Sequence, residues 1–326
     1  MTTTSAFPYR LGRHPTPHAV LQRQLRLRAY LRDLPAGPAA VNYTAGIASW
    51  PMDLNDQLGD CLIAGQAHMT EVFTAEVDGS PRIVSDADIL KAYEGLGYVP
   101  GDPSTDQGGT CVQALTQWRD VGLAGDKILG WAAVSANQAD LQAACWLFSG
   151  LYCGFDVPAS ALDQFQAGKA WDVVSDDGGI VGGHCVPILG YDAHGVTVVT
   201  WGQLQRATWA FVATYFSEQY AVIPSDYQRL SSRALPCGLA LDALIADMDS
   251  IGGNAPPAPA PTPSPAPPPF PIPPPAVIAW LQRVAHRLPE PERSWAFAVI
   301  AWAEAQGVSG QHNVPHAHLS EDMPGC

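Results

Sequence analysis

Hydrophobic residues recur every three or four positions in four stretches of the first half of the chain, the spacing of one face of a helix. We predict helices over residues 61–77, 85–96, 110–121 and 136–147. Beyond residue 150 the pattern changes to short runs rich in β-branched residues, which are typical of strands. We predict strands over residues 150–157, 183–191, 196–201, 207–212 and 220–223. This order predicts an α+β fold over residues 41–250, with a helical subdomain packed on an antiparallel β-sheet subdomain.

Residues 1–40 form a basic N-terminal arm. Residues 1–33 contain six arginines and a single acidic residue. Apolar residues at helical spacing over residues 19–34 predict a helix that ends before Pro35. We expect this helix to pack on the main domain with its arginines in solvent. Binding of an acidic partner, or service as a removable pro-segment, are the alternatives.

A proline-rich segment follows the main domain. Thirteen prolines fall between Pro256 and Pro275. Because proline fixes φ and donates no backbone hydrogen bond, residues 251–276 are predicted to be an extended polyproline-II linker. A ligand for an aromatic-lined, proline-binding groove is the alternative.

Residues 277–326 are predicted to hold a C-terminal helical hairpin and a flexible tail. Two apolar helical runs are separated by prolines, at residues 277–288 and 294–305. Trp280, Trp295 and Trp302 give this hairpin more aromatic surface than two isolated helices leave in water. We therefore expect it to dock on the main domain, on a second copy of the chain or on a protein partner.

Composition and charge narrow the classes of function. The chain is 47% hydrophobic and 15% charged, with a formal net charge of −14, which indicates a globular protein without affinity for nucleic acid. The chain contains no run of 18 apolar residues, so no membrane span is predicted. No basic start followed by an apolar segment marks a secretory signal, so we expect a cytoplasmic location, or a virion-associated one if the gene is a phage gene.

The seven cysteines are spread along the chain without CxxC pairs. Their odd number and wide spacing argue against a disulfide framework and against a zinc site. Three histidines near the C-terminus, His312, His316 and His318, predict adventitious metal binding only. We expect neither a metal nor another cofactor.

Cys61 lies where a polar, glycine-containing loop turns into an apolar helical run. This pattern places its sulfur at a helix N-terminus, where free N–H groups and the helix dipole stabilise a thiolate. Taken alone, a buried cysteine at a helix start is more often a packing residue.

His184 begins a strand after Gly182 and Gly183, and a second strand follows at residues 196–201. A cysteine on an early helix and a histidine on a late strand meet only through the fold, as nucleophile and base usually do. His184 is therefore the candidate base for Cys61.

These motifs resemble the papain-like cysteine peptidase superfamily over residues 42–223. The loop and helix of Cys61 come first, followed by the sequence DQGGTC at 106–111, which is similar to a glycine-containing turn of the family, and by a strand at 150–157. The sequence GHCVPILGYD at 183–192, followed by VVTWG at 198–202, is similar to the histidine strand and the "N-S-W-G" strand of the family.

The resemblance implies that Cys61 is the nucleophile and His184 the general base and acid. The Cys61 N–H and a side-chain amide would bind the oxyanion. The amide at the family spacing, six residues before the cysteine, belongs to Asn55, whereas Gln57, four residues before it, is preferred here on reach. Asp60, the residue before Cys61, departs from the family pattern. An acid next to a thiolate raises the pKa of the cysteine unless the acid points away.

The third catalytic position also departs from the pattern. Aligned on Trp201-Gly202, it falls on Val199, which has no polar group, whereas the separation from His184 reaches Thr200. A threonine hydroxyl can accept a hydrogen bond from the imidazole, so Thr200 is the candidate. Asp192 and Gln203 are nearby alternatives.

The sequence thus predicts a cysteine-dependent hydrolase, a peptidase or amidase that acts on a peptide or amide substrate. The alternative is a catalytically inactive papain-fold module for binding or assembly, such as a phage or virion-associated structural protein. In that case the proline linker and the C-terminal helices carry the function and Cys61 is a relic.

Overall fold

The computed structural model describes residues 7–31 and 34–229, all within the compact unit Met1–Ala255. The linker at 251–276 and the helical hairpin and tail at 277–326 lie outside the described residues. No helix in the described part of the chain is long and apolar enough to cross a bilayer.

Helices dominate the first part of the described chain. They are α1 His18–Leu21, α2 Leu27–Tyr30, α3 Cys61–Asp78, α4 Asp86–Glu94, α5 Cys111–Asp120, α6 Gln138–Leu147, α7 Ala159–Gln166 and α8 Trp209–Tyr215. Short 3-10 turns occur at Pro103–Thr105 and Ser225–Arg229. The four helices predicted between residues 61 and 147 are confirmed as α3 to α6, and the caps explain where three of them begin. Side chains of Ser85, Thr110 and Asn137 accept hydrogen bonds from the first turns of α4, α5 and α6.

The prediction of a single helix in the arm, over residues 19–34, is wrong. The segment instead forms the one-turn helices α1 and α2, separated by extended backbone at Arg26. The reason is tertiary pairing: the Ala133 N–H donates to the Leu25 carbonyl, and Arg26 forms a β-bridge with Ala133. Hydrogen bonds to the sheet have displaced those that would continue the helix.

Most of the strands form one antiparallel sheet. The strands are β1 Arg13–His14, β2 Val41–Asn42, β3 Gly109–Thr110, β4 Ile128–Ala133, β5 Leu151–Pro158, β6 Ile180–Tyr191, β7 Gly195–Thr200, β8 Gln203–Thr208 and β9 Phe216–Pro224. The large sheet has the order β4-β9-β5-β6-β7-β8, and β2 pairs with the end of β6. β1 and β3 form a separate parallel pair. The predicted α+β arrangement is confirmed.

Residues 207–212, predicted as a strand, are divided between two elements. β8 ends at Thr208, whose hydroxyl accepts a hydrogen bond from the Phe211 N–H and so caps α8. The apolar residues that suggested a strand are the buried face of this short helix. β4 and α7 were not predicted.

Helix α3 is the centre of the fold. Its first fourteen residues, Cys61 to Thr74, are all buried, including the polar side chains of Gln66, His68 and Glu71. The helix packs against β6, and the Tyr152 hydroxyl of β5 donates to the Leu62 carbonyl at 2.8 Å. This packing brings the first turn of α3 against the middle of β6, where the sequence placed its candidate residues.

Candidate active site

Cys61 is the first residue of α3, and its side chain is completely buried. A tight loop with left-handed backbone at Asp53 and Leu54 leads into the helix. The backbone N–H groups of Cys185 and Gly12 point at the sulfur and favour its anionic form, whereas Asp60 disfavours it. Burial outweighs the N–H groups and raises the pKa of Cys61 to about 12. In the observed conformation Cys61 is therefore a neutral thiol.

His184 lies in the middle of β6, opposite Phe155 of β5. Its ring is buried under Trp201, with ring centroids 4.4 Å apart and an interplanar angle of 17°. Burial lowers the pKa of His184 to about 3, and His68 contributes to the same decrease. The imidazole is therefore neutral in this conformation.

Thr200 holds the imidazole from the last position of β7. Its Oγ1 lies 2.7 Å from His184 Nε2, and His184 Nδ1 has no hydrogen-bond partner within the described residues. With the proton on Nε2 the hydroxyl accepts, and Nδ1 keeps its lone pair. Trp201 and Gly202, both with positive φ, make the two-residue turn that places the Trp201 ring over the histidine.

The alternatives to Thr200 lie elsewhere. Asp192 belongs to the turn between β6 and β7, where it accepts hydrogen bonds from the N–H groups of His194 and Gly195 and from Arg206. Gln203 is exposed at the start of β8.

Cys61 and His184 come together through the packing of α3 on β6. The Cys185 N–H that points at the sulfur belongs to the peptide group that joins Cys185 to His184. Two residues 123 positions apart are therefore neighbours in the fold. Both side chains are buried.

The two candidate oxyanion amides differ in position. Asn55 is buried, and its Nδ2 donates to the Leu58 carbonyl and to Asp60 Oδ1, each at 3.1 Å. Gln57 is exposed, and its Nε2 contacts only the neighbouring Asp56 carboxylate, at 3.5 Å. Asn55 is therefore the amide beside the first turn of α3, whereas Gln57, preferred from the sequence, lies at the surface, and the assignment of the oxyanion donor stays a prediction.

Asp60 is also buried, between Asn55 and Cys61. Burial raises the pKa of Asp60 well above its usual range, although the Asn55 amide opposes this increase. A protonated Asp60 repels a thiolate much less than an ionised one does. The departure from the family pattern at this position is thus compatible with a reactive cysteine.

A buried polar cluster that the sequence did not reveal lies next to the site. His68 Nε2 is 3.0 Å from Asp53 Oδ2, and Glu71 is buried one turn further along α3. Although burial opposes the charged imidazole, the Asp53 carboxylate raises the pKa of His68. His68 is therefore one partner of a buried polar pair with Asp53. The spacing of seven residues places His68 on the same helix face as Cys61, which was the sequence signal for its position. Nothing local in the sequence indicated Asp53 as its partner.

Residues 9–16 of the arm lie across the site. The Arg10 N–H donates to the Asn55 carbonyl at 3.0 Å, and Trp201 Nε1 donates to the Arg10 carbonyl at 3.3 Å. The Gly12 carbonyl accepts from the Gly109 N–H at 2.9 Å, and β1 continues this pairing with β3. The arm thus forms a lid over Cys61 and His184.

The fit of this lid requires close backbone contact. A Cβ added at Gly12 would lie 1.8 Å from the Gly59 carbonyl oxygen, and one added at Gly183 would lie 2.2 Å from the Arg13 carbonyl oxygen. Tyr9 stacks on Trp201 with centroids 5.5 Å apart. Water is therefore excluded from the cysteine, which is the physical cause of its high pKa.

The comparisons with known proteins concern the fold. No protein-family model matches the chain, and no curated protein matches its sequence. Among solved structures, xylellain, a cysteine protease from Xylella fastidiosa, is similar with a TM-score of 0.52 and 14% identity, over 66% of this chain and 96% of that chain. The proCathepsin B S9 of Trypanosoma congolense has a TM-score of 0.47 and 12% identity, over 66% of this chain and 87% of that one. Identity at this level shows the fold alone, and that fold is the papain-like fold of the cysteine proteases.

Proposed function

We propose that the protein is a cysteine-dependent hydrolase, a peptidase or amidase, with Cys61 as nucleophile and His184 as general base and acid. The observation that carries this proposal is the arrangement of His184. Thr200 holds its Nε2, its Nδ1 has no partner within the described chain, and its own peptide group touches the Cys61 sulfur. This is the arrangement of a base that accepts a proton from a neighbouring thiol.

In the proposed reaction His184 takes the thiol proton, and the sulfur of Cys61 attacks the substrate carbonyl carbon. The oxygen becomes an oxyanion, which the Cys61 N–H stabilises together with the Asn55 amide, once that amide exchanges its hydrogen bond to Leu58 or Asp60 for one to the oxyanion. The C–N bond then breaks as the imidazolium gives its proton to the leaving amine, and an acyl-thioester remains. Water attacks this thioester with His184 again as base, which releases the acid and restores the thiol.

The observed conformation is a closed, latent state. With a Cys61 pKa of about 12 and a His184 pKa of about 3, the neutral pair is more stable than the ion pair. Withdrawal of residues 9–16 would admit water, which stabilises both charges and lets the thiolate–imidazolium pair form. The arm thus acts as a pro-segment.

The test uses a chain whose arm has lost its fit, with the substitutions Gly12→Leu and Arg13→Ala, which we name the opened chain. We expect it to cleave a mixture of synthetic peptides, measured as newly formed amino termini. Cys61→Ala should abolish the cleavage, whereas Cys145→Ala, at another buried cysteine, should preserve it. His184→Ala should lower the rate by about 10²- to 10⁴-fold, the usual contribution of general acid–base catalysis, whereas the exposed His194→Ala should not.

Complete burial of Cys61 also favours the second candidate, an inactive papain-fold module for binding or assembly. That candidate requires the sulfur to stay inert when the arm is displaced. An opened chain that cleaves no peptide, and whose Cys61 reacts with alkylating reagents no faster than free cysteine, would favour the module over the enzyme.

A further inference from the structure

A buried histidine of helix α3 binds a loop outside its own helix. His68 lies two turns after Cys61, and only 2% of its side chain is exposed. Its Nε2 lies 3.0 Å from the Pro51 carbonyl oxygen and 3.0 Å from Asp53 Oδ2. Because a carbonyl oxygen can only accept a hydrogen bond, Nε2 carries a hydrogen and donates it.

The loop that His68 contacts has an unfavourable backbone. Asp53 and Leu54 have φ angles of 53° and 65°, in the left-handed region that residues other than glycine rarely enter. Such a conformation persists only where surrounding contacts hold it. His68 contacts the loop at Pro51 and at Asp53, and so restrains the first left-handed residue directly.

The same loop presents the candidate oxyanion donor. Asn55 follows the two left-handed residues, and its N–H donates to the Met52 carbonyl at 3.1 Å. To bind an oxyanion, its side-chain amide must give up its bond to the Leu58 carbonyl or to Asp60. The amide then depends on the loop backbone for its position. A change in that backbone therefore moves the amide relative to the sulfur.

The arm holds the other side of this loop while the site is closed. The Arg10 N–H donates to the Asn55 carbonyl at 3.0 Å. Arg13 anchors this part of the arm, because its buried guanidinium donates to Asp156 at 2.7 Å and to Glu218. When the arm withdraws, the Arg10 contact is lost, whereas the contact from α3 remains. The active state therefore depends on the contact from α3 more than the latent state does.

The Asp53 carboxylate requires a donor at position 68. Its side chain is 1% exposed, and apart from His68 neither of its oxygens has a partner within the described residues. Trp50 closes the space with its ring edge-on to the imidazole, at 5.8 Å between centroids. An apolar residue could fill this space, but it would leave a buried carboxylate without a hydrogen bond, which is costly. Packing alone therefore does not explain a histidine here.

We propose that His68 is a positioning residue for the hydrolase, whose Nε2–H holds the loop of residues 50–55 in the conformation that places the Asn55 amide at the oxyanion. This inference rests on the proposed hydrolase function. His68 does not contact the reacting atoms, so it acts on the chemical step through Asn55 and leaves substrate binding largely unchanged.

The first test replaces His68 in the opened chain and separates kcat from KM in peptide hydrolysis. His68→Leu removes the donor, and kcat should fall by about 10- to 100-fold, because misplacement of a catalytic group by ~1 Å can cost that much, whereas KM should change less than about threefold. His68→Gln keeps an N–H near the position of Nε2 and should restore kcat to within about threefold. Gln66→Leu is the matched control, since this buried amide of the same helix donates to the Ala114 carbonyl instead, and it should leave kcat unchanged.

The second test repeats His68→Leu in the Asn55→Ala background of the opened chain. There it should lower kcat by less than about twofold, because residues that act as one unit do not contribute additively. A histidine that supported only the fold would lower kcat equally in both backgrounds. Equal losses in the two backgrounds, or a change in KM with kcat preserved, would overturn the proposal.

If the His68→Leu chain does not fold, Asp53→Asn takes its place in both backgrounds. It weakens the contact from the side of the loop, and asparagine tolerates a left-handed backbone. It should lower kcat by about threefold or more when Asn55 is present and have no effect when Asn55 is absent. Cleavage with unchanged kcat would overturn the role of His68 and leave the hydrolase intact. Absence of all cleavage by the opened chain would overturn both.

Discussion

At the scale of single residues, the site depends on how His184 is held. Its Nε2 contacts the Thr200 hydroxyl at 2.7 Å, and the Trp201 ring covers it. The separation of sixteen residues, taken from the family resemblance, indicated Thr200 in the sequence, and the pairing of β6 with β7 brings its hydroxyl to His184. A threonine offers one rotatable hydroxyl, so Trp201 supplies much of the ring's orientation.

Thr200→Val removes the hydroxyl and keeps the shape of the side chain. We expect kcat of the opened chain to fall by about 10- to 100-fold, because misplacement of a catalytic group by ~1 Å can cost that much. Thr197→Val is the matched control in the same strand, where the hydroxyl bonds Arg206 instead of His184. Equal rates for both variants would show that Thr200 does not position the imidazole.

The oxyanion donors are a second feature at this scale. Asn55→Ala should lower kcat of the opened chain by about 10²- to 10³-fold, the usual effect of losing one such donor. Gln57→Ala should have little effect, because the Gln57 side chain is exposed and contacts only Asp56. The reverse result in peptide hydrolysis assays would restore the sequence-based preference for Gln57.

At the scale of elements, the local pattern of apolar residues was sufficient to predict an element that buries one of its faces. Helices α4 to α6 carry side-chain N-caps, α3 ends at the left-handed Gly79, and all four have apolar residues at helical spacing, so the sequence predicted them. It failed where distant hydrogen bonds decide the conformation, as at Arg26, or where one cap divides an apolar run, as at Thr208.

The role of the arm could not be predicted from the sequence, because it depends on contacts with distant residues. Arg13 was one of six arginines in a basic segment, and its partner Glu218 is 205 residues away. Neither residue is unusual in its own context. Only the folded chain shows that the arm enters the site in extended form.

Arg13→Glu should release the arm, because it places a third negative charge beside Asp156 and Glu218. The rate of Cys61 alkylation in the intact chain should then rise by at least about tenfold, since losing a buried ion pair and adding repulsion costs several kcal/mol of arm binding. Arg10→Glu makes the same charge change at an exposed side chain of the same arm. A similar rate for wild type and Arg13→Glu would mean that the ion pair does not hold the lid.

At the scale of the whole molecule, the interior holds an unusual number of acids close to one helix. Glu71 is buried, and neither of its carboxylate oxygens has a hydrogen-bond partner within the described chain. Burial raises the pKa of Glu71 to about 8, with His68 opposing the increase and Asp53 adding to it. The folded state therefore binds a proton that the unfolded state releases above about pH 4.5.

This proton links stability to pH. Between about pH 4.5 and 8 the folded state holds the proton and the unfolded state does not, so the Glu71 contribution to the free energy of unfolding falls as pH rises, by up to ~1.4 kcal/mol per pH unit. In urea unfolding at several pH values, wild type should lose stability relative to Glu71→Gln across this window. The exposed Glu94→Gln should parallel wild type, and a constant difference between wild type and Glu71→Gln would show that Glu71 is ionised in the fold.

The central claim is that His184 makes a thiolate of Cys61 once the arm is displaced. The most direct measurement is the rate of iodoacetamide labelling of Cys61 in the opened chain as a function of pH. We predict rapid labelling at pH 6 and an apparent thiol pKa below 7, both lost in His184→Ala and absent from the closed wild-type chain. A labelling profile with an apparent pKa of about 8.5 or higher, as for ordinary cysteine, and unchanged by His184→Ala, would contradict the account.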